Sequence, residues 1–177
     1  RESHSLIALN GAMATNGAFI EIAHGVSVDR PVLVEYRSAA NAADAIVHPR
    51  NLIVAGQNSQ LRVVEIYSGA DDAAYVTNAV TEAEAAAGAE VHHARSQVEG
   101  NAATHFGFIA ARTAAKSNFR THAINVGAVL ARQEINVMLG GEYSECTLNG
   151  MYCGRNKQVT DTHTVIDHAV PNCTSYQ

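Results

Sequence analysis

Tryptophan is absent from this 177-residue chain, and proline and cysteine occur only three times each. Three cysteines, Cys146, Cys153 and Cys173, cannot all pair with one another, and none forms a CxxC motif. This pattern favours reduced thiols over a disulfide framework. Runs of lysine or arginine are also missing, and 12 basic against 17 acidic residues give a net charge of -5. We therefore expect no nucleic-acid partner.

Long hydrophobic runs are missing as well, because no stretch approaches the eighteen or so apolar residues of a membrane-spanning helix. The N-terminal RESHSLIALNG lacks the basic, apolar and cleavage regions of a signal peptide. We expect a cytoplasmic protein without membrane contact, folded as one domain over residues 1–177. Because the chain starts at Arg1 rather than methionine and stops at TSYQ, we expect it to be a piece of a longer protein.

Recognised catalytic motifs are missing too. The sequence contains no GxSxG elbow, no phosphate-binding glycine loop and no HExxH. No motif therefore supports serine hydrolase, nucleotidase or metalloprotease chemistry. From motifs alone we assign no catalytic and no cofactor-binding residues.

Short alternating segments are what the chain has in abundance. About a dozen of them combine β-branched or aromatic residues with a period near two, which is typical of strands. They are LIALN, AFIEI, VLVEY, NLIVA, LRVVEIY, AYVTNAV, EVHHARS, THFGFIA, THAINV, INVML, CTLNGMY and HTVID. TEAEAAAGAE, from Thr81 to Glu90, suits a short helix equally well because of its alanines.

The strands recur at a regular interval in the second half of the chain. Their separation is roughly 14 residues, which indicates a repeat rather than unrelated hairpins. The strand centres are Val91, Phe106, Thr121, Ile135, Leu148 and His163. With one strand and one turn per rung, the repeat predicts an all-β parallel β-helix, a solenoid forming a single domain. Its open ends would expose strand edges, so we expect self-association through them.

A cluster of potential metal ligands stands in DTHTVIDHAVPNC, residues 161–173. His163, His168 and Cys173 are the weak candidates, because imidazole and thiolate bind zinc or iron. Strand alternation places Asp161, His163 and Asp167 on one face and His168 on the other with the Thr and Ile residues, while Cys173 lies beyond Pro171. We expect no metal site from this segment alone, with the Thr and Ile side chains pointing inward.

Other polar residues allow two further hypotheses. His92 and His93 are adjacent, so one should face the interior and the other solvent, whereas His105, His122 and His163 could stack in a ladder if they share one phase. Parallel β-helices can also carry paired acids on the outer face for carbohydrate cleavage. Glu65, Glu82 and Glu90, or Glu134, Asp161 and Asp167, could supply them, although basic and aromatic residues that would flank such a cleft are few.

Several long segments, in order, resemble the SufB/SufD family of iron-sulfur cluster assembly proteins, and the first of them is similar to the SufD branch. They are LNGAMATNGAFIEIAHGVSVDRPVLVEY (Leu9–Tyr36), HPRNLIVAGQNSQLRVVEIYSG (His48–Gly69), VTNAVTEAEAAAGAEVHHARSQ (Val76–Gln97), GAVLARQEINVMLGGEYSECTLNGMYCG (Gly127–Gly154) and QVTDTHTVIDHAVPNCTSYQ (Gln158–Gln177). The resemblance covers nearly the whole chain.

The resemblance implies a right-handed parallel β-helix and a non-catalytic scaffold role. In this family SufB pairs with SufD, the SufC ATPase docks on a helical segment, and nascent iron-sulfur clusters are assembled on the complex. We expect the parent complex, not this piece, to handle the cluster, and no cofactor to bind here. The family's later rungs, its Cys-Ser-His-Gly-like motif, its N-terminal region and its helical segment have no counterpart in residues 1–177, so the resemblance implies a truncated core. A carbohydrate-active lyase or hydrolase and a self-associating structural solenoid are the alternatives.

Overall fold

The computed structural model describes residues 4–39 and 44–177, so residues 1–3 and 40–43 of the predicted domain lie outside the described part. One helix, α1, spans Ser5–Met13. The strands are β1 (Phe19–Ile22), β2 (Val32–Ser38), β3 (Ile46–Val47), β4 (Arg50–Ala55), β5 (Gln60–Gly69), β6 (Val76–Ala85), β7 (Glu90–Val98), β8 (Thr104–Thr113), β9 (Asn118–Asn125), β10 (Leu130–Leu139), β11 (Glu145–Tyr152), β12 (Val159–His168) and β13 (Thr174–Tyr176). The predicted all-β class is confirmed.

Two parallel sheets form the solenoid. Sheet 1 has the order β1-β4-β6-β8-β10-β12, with β3 also pairing β6, and sheet 2 has the order β2-β5-β7-β9-β11-β13. Val76 lies opposite Thr104, 28 residues later, and Thr104 lies opposite Leu130, 26 residues later. A full turn therefore contains two strands, so the 14-residue spacing marks half a turn and the prediction of one strand per rung was wrong. The parallel β-solenoid, of about five turns, is confirmed.

Strand alternation builds the apolar half of the interior. In β5 Leu61 and Val63 point inward while Gln60 and Arg62 face solvent, and neighbouring strands keep the same phase. Alanines occupy part of two neighbouring inward rows: Ala55 lies opposite Ala85, and Ala83 lies opposite Ala111. Parallel pairing repeats the same inward position at every turn, so one continuous core runs along the axis.

Tight turns join each sheet-1 strand to the following sheet-2 strand. Each of these turns contains a residue with a positive φ: Gly25 (70°), Asn58 (56°), Gly88 (69°), Lys116 (58°), Tyr143 (62°) and Asn172 (61°). The residue after it bonds back to the first, as in Ser59 N to Gly56 O at 3.1 Å, which matches a turn that needs a left-handed residue at its third position. Successive turns also bond to each other, for example Asn58 N to Ala87 O at 3.0 Å. The hydrogen-bond ladder thus continues around this corner.

One local prediction was wrong, because LIALN is not a strand but part of α1, which packs on the outer face of sheet 1 with Asn10 buried. The alternative left open for Thr81–Glu90 is decided against the helix: β6 continues to Ala85 and a turn follows, with Ala83, Ala85 and Ala89 in the buried core. The nine residues of α1 cannot cross a bilayer, and the described part of the chain contains no helix that could.

Candidate functional site

The other half of the solenoid interior is polar. It lies where the sheet-2 strands end and the sheet-1 strands begin. Five side chains there are at most 4% exposed, and we call them the interior charge cluster: Glu65, His93, Arg95, Glu99 and His105. Burial of charge is costly unless each group is paired and hydrogen-bonded, so the contacts of the cluster decide what it does.

Glu65, on β5, is contacted by side chains from three other strands. Its carboxylate accepts from Thr81 Oγ1 at 2.8 Å and from Asn51 Nδ2 at 3.1 Å, and it lies 3.3 Å from His93 Nε2. Tyr67 OH donates to its second oxygen at 3.0 Å. Burial alone would raise the pKa of Glu65, but His93, Thr81 and Arg95 outweigh it and lower the pKa to about 2. The carboxylate is therefore charged at neutral pH.

His105 joins the Arg95 guanidinium to Glu99. Arg95 has only donors, so His105 Nε2 accepts from it, and His105 Nδ1 must carry the proton that it donates to Glu99 Oε2 at 2.5 Å. Burial and the charge of Arg95 lower the pKa of His105, which fits this neutral tautomer. Glu99 also accepts from Thr77 Oγ1 at 2.6 Å and Gln97 Nε2 at 3.1 Å. Despite burial, these donors and His105 lower the pKa of Glu99.

Aromatic rings and a glycine make room for the buried Arg95. Its guanidinium lies 5.2 Å from the ring centroid of Tyr67, a cation–π geometry, and Tyr67 stacks on Tyr36 with centroids 5.2 Å apart. Gly107 also lies against the guanidinium, and a Cβ added to this glycine would come within 2.4 Å of Arg95 Nη2. The cluster is thus packed tightly and spans several consecutive turns.

The cluster contains ligand types that iron accepts, and its side chains contact one another, although His93 Nε2 makes no hydrogen bond and only lies 3.3 Å from Glu65 Oε1. Within residues 4–39 and 44–177, no three His, Cys, Asp or Glu side chains converge as a metal site. The charges instead connect β5, β7 and β8, which belong to three successive turns. The arrangement therefore provides side-chain contacts between successive turns, in addition to the backbone ladder.

The structure places the three weak metal candidates apart. His163 faces outward on β12, opposite Glu134. His168 points to the other face, and its Nε2 lies 3.0 Å from Ser175 Oγ. Cys173 Sγ lies 3.4 Å from Ser144 Oγ, at the margin of the core. The split that alternation predicts for DTHTVIDHAVPNC is therefore observed, with Thr164 and Ile166 on the inward side.

Of the two expectations for the histidines, one is confirmed and one is not. His93 is buried and His92 is partly exposed, as predicted. The condition for a histidine ladder is not met, because His105 faces the interior while His122 and His163 face outward on different sheets.

The acids considered for carbohydrate cleavage do not form a catalytic pair on the outer face. Glu65 points inward, so it cannot supply an acid on the outer face. Glu82 and Glu90 lie on different sheets, and Arg132 bridges Glu134 and Asp161 at 2.7 and 2.6 Å. Neither group forms an open pair of carboxylates.

Sequence reasoning missed Arg95, Glu99, His105 and Tyr67 as members of a site. A signal was available in VHHARSQVE, where His93, Arg95 and Gln97 share the phase of the apolar Val91. If the inward position of Val91 is continued at every second residue, polar side chains are predicted inside the solenoid. Polar residues on alternate positions normally indicate a solvent face, which hides the signal.

The fold and its interior together define a parallel β-solenoid core domain. The family model for SUF system FeS cluster assembly, SufBD core domain, matches residues 37–177, and the chain therefore belongs to the SufBD core family. The chain is 25% identical over 166 residues to the iron-sulfur cluster assembly SufBD family protein slr0076 of Synechocystis sp., covering 89% of this chain and 37% of that protein. It is 23% identical over 171 residues to the iron-sulfur cluster assembly protein SufD of Escherichia coli, covering 96% of this chain and 40% of that protein. The chain thus spans about two fifths of the length of these relatives.

Proposed function

We propose that this chain is the β-solenoid core of a SufD-type scaffold subunit in iron-sulfur cluster assembly. The observation that carries the proposal is the SufBD core match over residues 37–177, supported by two relatives whose names state iron-sulfur cluster assembly. The iron-sulfur cluster is then the cargo of the complex, and this subunit acts in the cytoplasm as a non-catalytic partner of a SufB-type subunit and a SufC-type ATPase.

The interior charge cluster supports a scaffold role. A scaffold must present its outer surfaces in a fixed arrangement, and the Glu65, Arg95 and His105 contacts connect successive turns from within. A polysaccharide-cleaving role lacks this kind of support, because the outward acids are separated or bridged by arginine.

The test uses the full-length protein that contains this chain, co-expressed with SufB-type and SufC-type proteins of the same organism. We expect an affinity tag on the full-length protein to retain both partners through gel filtration, and the complex to restore an iron-sulfur enzyme activity in cells that lack their own SufD. A tagged protein that elutes alone and restores no activity would overturn the proposal.

A further inference from the structure

His105 has no free ring nitrogen for a second proton. The side chain is 1% exposed and belongs to the interior charge cluster. Its Nε2 accepts the hydrogen bond from Arg95, and its Nδ1 donates to Glu99 Oε2 at 2.5 Å. A second proton would have to enter between Nε2 and the Arg95 guanidinium, which offers only donors. This contact between β7 and β8 therefore exists only while His105 is neutral.

Arg95 depends on this ring nitrogen because no carboxylate is paired with it. Within the part of the chain that the structure describes, Arg95 forms no ion pair. Its other hydrogen bond, to Asn125 Oδ1, is long at 3.4 Å, and the ring face of Tyr67 lies against the guanidinium. His105 Nε2 is thus the main acceptor for a charge that is 2% exposed. Loss of this acceptor leaves the buried guanidinium poorly paired, which is strongly destabilising.

The groups that face His105 have opposite effects on its charge. Burial and Arg95 lower the pKa of His105, whereas Glu99 and Glu65 raise it. Tyr67 contacts the ring edge to face, with centroids 5.0 Å apart, and it is uncharged because burial and Glu65 raise its own pKa. Burial and Arg95 prevail, so the pKa of His105 lies below 6.5.

The order of proton binding defines a pH window. The unfolded chain binds a proton on this histidine near pH 6.5, and the folded protein binds it only at lower pH. The stability that the contact between Arg95 and His105 supplies is therefore fully present above about pH 6.5 and is lost as the pH falls below it. The pKa values of Glu65 and Glu99 both lie below 4.5, so these carboxylates stay charged down to about pH 5.

We propose that the contact between Arg95 and His105 is an acid-sensitive lock on the solenoid interior. At mildly acidic pH a proton from solvent binds His105 Nε2, the Arg95 guanidinium separates from the ring, and the corner that joins β7 to β8 opens. This corner, residues 98–104, contains Glu99, which Thr77 and His105 hold inside. The inference concerns the interior alone and is independent of the proposed iron-sulfur role.

Hydrogen exchange followed by mass spectrometry, on the full-length protein that contains this chain, tests the lock. Exchange rates are divided by the intrinsic rate at each pH, which gives the opening constant. For peptides that cover residues 98–104, we expect this constant to rise about tenfold between pH 6.5 and 5, because the open state binds one more proton than the closed state. An opening constant that stays flat over this range would overturn the proposal.

His105→Gln is the decisive variant. Its amide oxygen can accept from Arg95 and its amide nitrogen can donate to Glu99, so both contacts are kept without a titrating group. Most of the rise should disappear in this variant. It should remain in His92→Gln, which removes the outward histidine of β7, whose pKa is also lowered by burial and by Arg120. A rise that persists in His105→Gln, or one that disappears in His92→Gln, would contradict the lock.

A second measurement needs no substitution and decides the case in which His105→Gln does not fold. NMR of the protein with 15N-labelled histidine reports which ring nitrogens carry protons. We expect His105 to be protonated at Nδ1 and unprotonated at Nε2 in the folded protein at pH 7. A proton on Nε2 at pH 7, or a doubly protonated ring at lower pH without faster exchange at residues 98–104, would show that Arg95 does not hold this nitrogen and would overturn the proposal.

Discussion

Glu65 keeps a negative charge deep inside the solenoid because donors from neighbouring strands surround it. Its pKa lies at about 2 instead of 4.5, so the folded protein holds this proton more weakly than the unfolded chain does. The stabilisation is therefore fully present above about pH 4.5 and is lost as the pH falls towards 2. A shift of this size corresponds to about 3 kcal/mol.

Glu65→Gln should lower the free energy of unfolding by about 3 kcal/mol at pH 7. The difference from the unsubstituted chain should shrink as the pH falls from 5 to 2, because the glutamine has no proton to gain. Urea denaturation at a series of pH values measures it. Glu82→Gln, a partly exposed partner of Arg50, is the control and should change stability by less than about 1 kcal/mol. A difference that stays constant with pH would contradict the buried, charged state of Glu65.

Gly107 is the second residue on which the interior charge cluster depends. Gly107→Ala would place a Cβ 2.4 Å from Arg95 Nη2 and 2.6 Å from Gln133 Oε1, so the guanidinium must move away from His105. We expect a loss of about 1–3 kcal/mol in thermal or urea denaturation, typical of overpacking. Gly150→Ala is the matched control, since a Cβ at this strand position meets nothing within 4 Å. Equal effects of the two substitutions would show that Arg95 does not need the space.

Among the elements, the stacked turns between sheets 1 and 2 use a left-handed residue at every level. Gly25 and Gly88 have almost the same φ, 70° and 69°. Their surroundings differ: a Cβ on Gly25 meets nothing within 4 Å, whereas one on Gly88 comes within 2.2 Å of Asn58 Oδ1 in the turn below. The two positions therefore separate the cost of the backbone conformation from the cost of stacking.

Gly25→Ala should cost about 1–2 kcal/mol, the price of a left-handed alanine. Gly88→Ala should cost more, because the Asn58 side chain must also leave its place. Asn58→Gly in the Gly88→Ala background should recover that extra loss, since glycine removes the side chain and tolerates the φ of 56° at this position. Denaturation midpoints of the three variants give the comparison. If Gly25→Ala and Gly88→Ala cost the same, the turns do not support one another through Asn58.

The type of an element could be predicted where the alternation of apolar and polar residues is strong. The prediction failed where contacts with residues distant in the chain determine the element. β5 and β10 follow from their period of two. α1 does not, because SLIALNGAM has no clear amphipathic pattern, and the contacts of Asn10 with Pro49 and Asn78 join it to residues that are distant in the chain. The 14-residue spacing was visible, but one repeat per half turn cannot be distinguished from one per full turn without the pairing.

At the scale of the whole molecule, the site was harder to predict than the fold. The outward position of His163 and the inward position of His93 follow from phase alone. The contact between Arg95 and His105 does not, because the two residues lie on different sheets and meet only once the solenoid closes. A single sequence shows which side of a strand a residue occupies, whereas the partner across the interior depends on the length of each turn.

Because the interior charge cluster spans β5, β7 and β8, these strands should open together. Arg95→Met leaves Glu65 and Glu99 buried with fewer positive partners, and we expect a loss of about 3–5 kcal/mol. Native-state hydrogen exchange followed by mass spectrometry should show faster exchange throughout these three strands, while β13 changes little because a solenoid couples mainly neighbouring turns. Arg62→Met, on the outer face of β5, is the control and should alter neither stability nor exchange. Faster exchange confined to β7 would mean that each turn is held by its own backbone ladder and that the buried charges do not couple the turns.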